Sequence, residues 1–440
     1  MCSEVPTAAR QLCGTCEWCG GRFRPLACRG GFGRRRRNSA GRNRRNRRVI
    51  DALVVGAGPS GCRVAWKLAE AGYSVAIAEE HEQVGDPCQC AGLVTPRTLD
   101  YLGYRLPVLQ EMRGARLWGP HDSYLEFEAL ETKALVIDRP ALDRSIAARA
   151  EKAGAEIWTG TRYTRGWRDN GGMVAELRDK SGMQQVQTRL LIGADGPASR
   201  VARDAGLHNR REVMAAFGGD VSGYATRDGY VDLFVGSELA PRFFGWAIPT
   251  GSDTGRLGVA TTLPHRPRKF FRSYFHEGAP SKVLNGAKLT ARISGLIPFG
   301  LREPAFTDHV LLIGDAAGLA KPTSGGGIYT GLVSADAAAE TAIAAFEAGD
   351  LSVAYLAEYQ QKLRNRIAGE LQLGARLRRA FLALDDAQLA EIIRMLGDPA
   401  VLEAIQRVGD LDYTSRAAFA VLKAQPKLVK FAPLLLKPFV

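Results

Sequence analysis

The apolar and polar positions along this chain change period several times, and each change marks an element. The unbroken apolar run IDALVV over residues 50–55 reads as a buried parallel strand. It leads into Gly56-x-Gly58-x-x-Gly61, after which apolar residues recur at helical spacing through CRVAWKLAEAG and stop at Gly72. A second short run, YSVAIAEE, follows and contains Glu79. In such a strand–turn–helix–strand unit Gly56 permits the tight turn, Gly58 lets the backbone approach a pyrophosphate, and Gly61 lets helix and strand pack closely. The helix N-terminus supplies N–H groups and positive potential. Glu79 stands where a carboxylate accepts an adenosine ribose 2′-hydroxyl, so the pattern fits a dinucleotide.

The next stretch, HEQVGDPCQCAGLV, has no periodicity and reads as a loop folded over a site. Residues 134–150 predict a strand turning into a helix, with Arg139 and Asp143 on the turn. Alternating segments around AEIWTG, MVAELRD and QVQTRLLIGADG predict a small sheet that returns to the cofactor unit. Residues 211–303, with YVDLFVG, FFGWAIPT and GRLGVATTL, predict a mostly antiparallel domain. An apolar strand, a glycine-rich loop and a long helix come next in HVLLIGDAAGLAKPTSGGGIYTGLVSADAAAETAIAAF. Beyond residue 350 the pattern is helical as far as Pro426. The expected organisation is an extension over 1–48, the first part of a dinucleotide-binding domain over 49–210, an antiparallel β substrate domain over 211–303, a return segment over 304–350, and a C-terminal helical region over 351–440.

Charge changes the picture only once it is located. The net charge is +13, but residues 1–48 hold thirteen Arg, no Lys and two acids, which leaves +2 for the rest of the chain. No nucleic-acid partner is therefore expected for the folded part. The leader also carries five cysteines, Cys2, Cys13, Cys16, Cys19 and Cys28, of which the last four could hold zinc through thiolates but lack the two separated pairs of a zinc ribbon and any His. The favoured reading is a disordered extension, and an interaction protein working through this leader is the distant alternative. The three other cysteines form no disulfide framework, no apolar stretch of spanning length occurs, and a cytoplasmic location is expected. The tail from Leu428 to Phe439, with Lys423, Lys427, Lys430 and Lys437, leaves peripheral attachment to the inner face of the cell membrane open.

Two further motifs convert a general dinucleotide unit into a flavin unit. Gly193-Ala194-Asp195-Gly196-Pro197-Ala198-Ser199 and Gly314-Asp315-Ala316-Ala317-Gly318 each end a hydrophobic run. Together with the glycine turn they resemble the three FAD motifs of the flavoenzyme superfamily that includes para-hydroxybenzoate hydroxylase. The implied fold is a Rossmann-type FAD-binding α/β domain interleaved with an antiparallel β substrate domain, with a helical C-terminal part. By that resemblance Asp315 should bond the flavin ribityl chain, Asp195 should sit on the pyrophosphate side, and Arg139 should lie near the cofactor.

Pro87-Cys88-Gln89-Cys90-Ala91-Gly92, Phe244-Gly245-Trp246-Ala247-Ile248-Pro249 with Gly258-Val259-Ala260, and Lys321-Pro322-Thr323-Ser324-Gly325-Gly326-Gly327 narrow this further. They resemble segments of geranylgeranyl reductases, most closely those of the archaeal digeranylgeranylglycerophospholipid type. Phe244, Ile248 and Ala260 depart from that family's Tyr, Phe and Gly. The resemblance implies FAD as cofactor, Gln89, Cys90, Ala91, Gly326 and Gly327 at the flavin, and Phe244, Trp246 and Pro249 along a prenyl chain. Cys90 is the candidate catalytic thiol. The implied reaction is hydrogenation of isoprenoid double bonds in a geranylgeranylated lipid or prenyl diphosphate, with ferredoxin or a nicotinamide as electron donor. Only one dinucleotide fingerprint is present, so no second nucleotide domain is expected. An FAD-dependent aromatic monooxygenase is the nearest rival.

Overall fold

The computed structural model describes residues 49–436 except 209, 210, 225, 263 and 411. The leader with its Arg and Cys runs, and Lys437 and Phe439 of the tail, lie outside the described residues.

The first sheet has the spatial order Phe306–Thr307, Val310–Leu312, Gly182–Gly193, Val49–Val55, Val75–Ala78, Glu156–Trp158. Its central pairings are parallel, and Arg162–Asp169 and Gly172–Asp179 extend it as an antiparallel flap on Gly182–Gly193. The strands are apolar because both faces are covered. Helix Pro59–Glu70 packs between helices Arg139–Lys152 and Ile328–Ala348, and Arg63 forms a largely buried ion pair with Asp336 of the last of these at 2.7 Å. Helix Pro59–Glu70 starts on a proline at its first turn and gives way to Gly72 at φ +90°, the ends its sequence predicts.

The second sheet runs Lys288–Leu289, Glu212–Ser222, Thr254–Thr262, Ala240–Pro249, Tyr230–Gly236, Gly114–Trp118, Tyr124–Glu128, with Ile293–Phe299 also on Glu212–Ser222. It differs from the sequence expectation in drawing its last two strands from residues 114–128, which fall within the expected dinucleotide segment. Tyr230–Gly236 pairs in parallel with Gly114–Trp118, a long-range contact that local alternation does not announce. A third, three-stranded sheet has the order Leu93–Val94, Ala134–Ile137, Val108–Met112. After residue 350 the chain is helical. Its end, Pro426–Leu436, is a 3-10 helix, with Pro433 inside it. No described helix is long and apolar enough to cross a membrane.

Candidate functional site

Strand register explains why motifs far apart in sequence meet. Val55 is level with Gly193 and with Ala78, and Gly193 is level with Leu312. The residues that follow, Gly56, Glu79, Ala194–Asp195 and Gly314–Asp315, therefore leave the sheet at one edge, the carboxyl ends where ligands of such sheets bind. They line one cavity of about 940 Å³ that continues between the two sheets.

The three glycines of the first turn have separate tasks. Gly56 sits at φ +102°, and a Cβ there would lie 2.5 Å from the Ala194 carbonyl oxygen. A Cβ on Gly61 would stand 2.0 Å from the Gly56 oxygen, which is the close helix–strand approach expected. A Cβ on Gly58 would meet nothing within 4 Å, so packing within the protein does not require glycine there. The buried Glu79 carboxylate accepts the Ala57 N–H at 2.7 Å and the His81 N–H at 3.0 Å, with His81 Nδ1 at 2.6 Å. It ties the second strand to the turn while lining the cavity; His81 carries no sequence signal.

Asp195 lines the cavity, and its carboxylate also has partners within the protein. Its carboxylate accepts from Ser199 Oγ at 2.6 Å, Arg200 N–H at 2.6 Å and Val201 N–H at 3.1 Å. Both oxygens thus fix the turn into helix Arg200–Asp204, whose N-cap is Ser199, and Asp195 shapes the cavity wall. Arg211, which nothing in the sequence singles out, donates to the carbonyls of Asp315 and Pro197 at 3.0 Å each and so bridges the second and third motifs. The Asp315 carboxylate, by contrast, makes no hydrogen bond among the described residues. Burial pushes it up to about 6, against the pull of Arg139 and Arg211. An acceptor of this kind on the cavity wall suits the hydroxyls of a ribityl chain. Gly327 leaves the space it needs, since a Cβ there would be 2.9 Å from Asp315 Oδ1.

The loop around residues 85–92 carries Gln89, Cys90 and Ala91 to the cavity. Cys90 Sγ accepts the Gly92 N–H at 3.4 Å, and the Cys88 thiol donates to the Cys90 carbonyl at 3.6 Å. Burial pushes the Cys88 thiol up. Arg139 opens helix Arg139–Lys152, bonds Asp143 one turn on at 3.1 and 2.9 Å, and lies beside the Cys90 thiol. Burial opposes its charge, but Asp143 and Cys90 outweigh that and hold it above its ordinary value. Arg256 reaches across from the second sheet to the Ala91 and Ile137 carbonyls at 3.1 Å each and holds the loop down.

The glycine-rich loop is closed on itself: Gly325 N–H donates to the Lys321 carbonyl at 2.8 Å, and Lys321 N–H to the Gly326 carbonyl at 3.0 Å. Lys321 Nζ pairs with Asp412 from the C-terminal region at 2.5 Å. Thr95 also donates to the Asp412 carboxylate.

On the other wall, Phe244 and Trp246 line the cavity with rings 6.1 Å apart, and the indole lies over Gly258, where a Cβ would be 2.2 Å from Cζ2. Ile248 joins them at the next inward position, whereas Pro249 falls outside the lining. Strand alternation is the reason: positions 244, 246 and 248 share a face and 249 takes the other. Sequence reasoning missed Met112, Ala115, Leu117, Phe127, Val231 and Leu233, which line the same cavity as apolar wall. Their contribution depends on the long-range pairing of strand Gly114–Trp118.

Fold and site define an FAD-dependent flavoprotein oxidoreductase. The FAD binding domain family matches residues 49–372. The chain is 30% identical to the digeranylgeranylglycerophospholipid reductase of Methanothrix thermoacetophila over 79% of its own length and 91% of the relative's. It is 28% identical to digeranylgeranylglycerophospholipid reductase 2 of Methanopyrus kandleri over 88% of this chain and 100% of that one. Among solved structures, a geranylgeranyl bacteriochlorophyll reductase-like protein of Thermoplasma acidophilum superposes with a TM-score of 0.79 at 23% identity, covering 88% of this chain and 99% of that one. The chain belongs to the FAD-dependent geranylgeranyl reductase family.

Proposed function

We propose that this enzyme hydrogenates carbon–carbon double bonds in the geranylgeranyl chains of membrane lipid precursors. The observation that carries the reading is the single cavity in which the flavin-site residues, the Cys90 loop and a long apolar wall meet. Reduced FAD supplies the hydride, which no side chain can. Asp315 accepts from the ribityl chain, Glu79 from the adenosine ribose, and the Gly56–Gly61 turn receives the pyrophosphate. The apolar wall from Met112 to Leu233, with Phe244 and Trp246, holds an isoprenoid chain extended and excludes water. Cys90 delivers the proton to the second alkene carbon, and Arg139 stands beside the thiolate this leaves. The relatives' names favour a glycerophospholipid as the chain's carrier. Enzyme reduced with dithionite without oxygen and mixed with digeranylgeranylglyceryl phosphate should give products heavier by two hydrogens per bond, read by mass spectrometry. An unchanged lipid together with oxygen-dependent hydroxylation of an aromatic would replace this reading with a monooxygenase.

A further inference from the structure

Two thiols share the loop that reaches the cavity, and lipid reduction as proposed needs one of them. Cys88 and Cys90 are both free, half-buried and part of the cavity lining. The third free cysteine of the described residues, Cys62, is fully buried and donates its thiol to the Ala57 carbonyl at 3.2 Å. Cys88 has no part in holding the cofactor or delivering the proton. Its thiol is turned forward along the chain onto the Cys90 carbonyl, at 3.6 Å.

Chain spacing brings the two sulfurs within bonding reach. Two positions apart, their Cα atoms lie at most about 7 Å from each other on extended chain and closer where it turns. A disulfide bridges Cα atoms roughly 4.4–6.8 Å apart. The loop is anchored on both sides of the pair. Gly85 packs so closely on helix Arg139–Lys152 that a Cβ there would be 2.9 Å from Pro140 Cα, and Arg256 holds the Ala91 carbonyl at 3.1 Å. Between these anchors no backbone N–H from Cys88 to Ala91 finds an acceptor among the described residues, so the segment can adjust without breaking a helix or a ladder. Arg139 lies beside Cys90, so a thiolate formed there meets a cation, and the thiolate is the form that peroxide oxidises.

We propose that Cys88 and Cys90 are a peroxide-sensitive pair that closes into a reversible disulfide, with Cys90 as the thiol first oxidised and Cys88 as the thiol that resolves it. The Cys90 thiolate attacks one oxygen of hydrogen peroxide: the S–O bond forms, the O–O bond breaks, and hydroxide leaves and takes up the proton Cys90 released. The Cys88 sulfur then attacks the sulfenic sulfur of Cys90: the S–S bond forms, the S–O bond breaks, and the hydroxyl leaves with the Cys88 proton as water. Together the two thiols lose two electrons, and one peroxide becomes two waters. A dithiol reverses the closure by exchange and is itself oxidised to a disulfide. The consequence for turnover rests on the reductase reading. The disulfide removes the thiol that delivers the proton, and it spares Cys90 the irreversible steps to sulfinic and sulfonic acid.

The test treats the FAD-loaded full chain with hydrogen peroxide, blocks the remaining thiols with iodoacetamide, and digests with trypsin for mass spectrometry. The tryptic peptide 68–97 holds Cys88 and Cys90 and no other cysteine. Expected is a loss of two hydrogens in that peptide with no alkylation, reversed by dithiothreitol added before blocking. In Cys88→Ser this loss should vanish, and Cys90 should instead gain two or three oxygens that dithiothreitol does not remove. Lipid reduction should fall after peroxide in both proteins and return with dithiothreitol in the native chain alone. A native peptide that stays doubly alkylated overturns the proposal, as does crosslinking of either thiol to another peptide. So does a loss of two hydrogens that persists in Cys88→Ser, which marks a ring between Cys90 and a backbone nitrogen. The mass readout needs no lipid turnover, so failure of untreated enzyme to reduce lipid counts against the reductase reading alone.

Discussion

Asp412 Oδ1 stands 2.5 Å from Lys321 Nζ, with the carboxylate side chain 1% exposed and the lysine side chain 13% exposed. The pair joins the C-terminal helical region to the loop that ends at Gly327, and Asp412 lies beyond residue 372, where the family match stops. The C-terminal region is thereby part of the wall of the cavity and not an appendage to it.

Asp412→Ala should lower stability by about 3 kcal/mol, since it strips a buried cation of its carboxylate. Asp412→Asn should recover part of this by keeping the bond from Thr95. Thermal melts of the two variants check the expectation, and equal melting points to the native chain would count against it.

The glycines of the first turn should separate binding from folding. Gly58→Val adds atoms to open space on extended backbone, φ −69° and ψ 177°, so the protein should fold normally and purify without FAD. Gly61→Ala drives a Cβ to 2.0 Å from the Gly56 oxygen and should cost about 1–3 kcal/mol or more. Flavin absorbance and melting temperature, measured on both, distinguish the two roles; full FAD content in Gly58→Val would refute the first.

Cys90→Ala should slow product formation far more than it weakens FAD retention, because the thiol reaches the cavity while the loop is held by Arg256 through backbone carbonyls. Parallel loss of activity and FAD would make Cys90 structural.

Asp315 gives the FAD-free protein a pH signature. Its carboxyl titrates at about 6 in the fold against 3.8 ordinarily, so between those values the native state binds more protons than the unfolded chain. Stability should therefore fall as pH rises from 3.8 to about 6 and level off above. Asp315→Asn should flatten that limb in urea titrations, and an unchanged slope would show that other groups produce it.

Membrane attachment is open to a direct test. Phe419 is 74% and Leu422 39% exposed on helix Thr414–Ala424, next to Lys423. Phe419→Asp/Leu422→Asp should abolish co-sedimentation with anionic vesicles without altering FAD content, and equal sedimentation would remove this helix from any membrane role.

The sequence by itself determined the cofactor unit: apolar strands, Gly56, Gly58, Gly61 and Glu79 follow local rules of period and turn geometry, and the Asp195 and Asp315 motifs mark the ends of two further strands. Cys90, Phe244 and Trp246 were legible as cavity residues through the resemblance of their segments to geranylgeranyl reductases. Tertiary structure alone decided what those motifs do to one another. Asp195 anchors the helix turn that Ser199 caps because Ser199 and two backbone N–H groups lie within its reach, and Pro249 left the lining because strand parity turned it away. Arg211, Arg256 and Asp412 reach their partners across 104, 165 and 91 positions, separations at which sequence spacing carries no signal. The apolar wall from residue 112 to 127 likewise depends on a parallel pairing with Tyr230–Gly236, and such pairing is set by the packing of whole sheets and not by the residues of either strand.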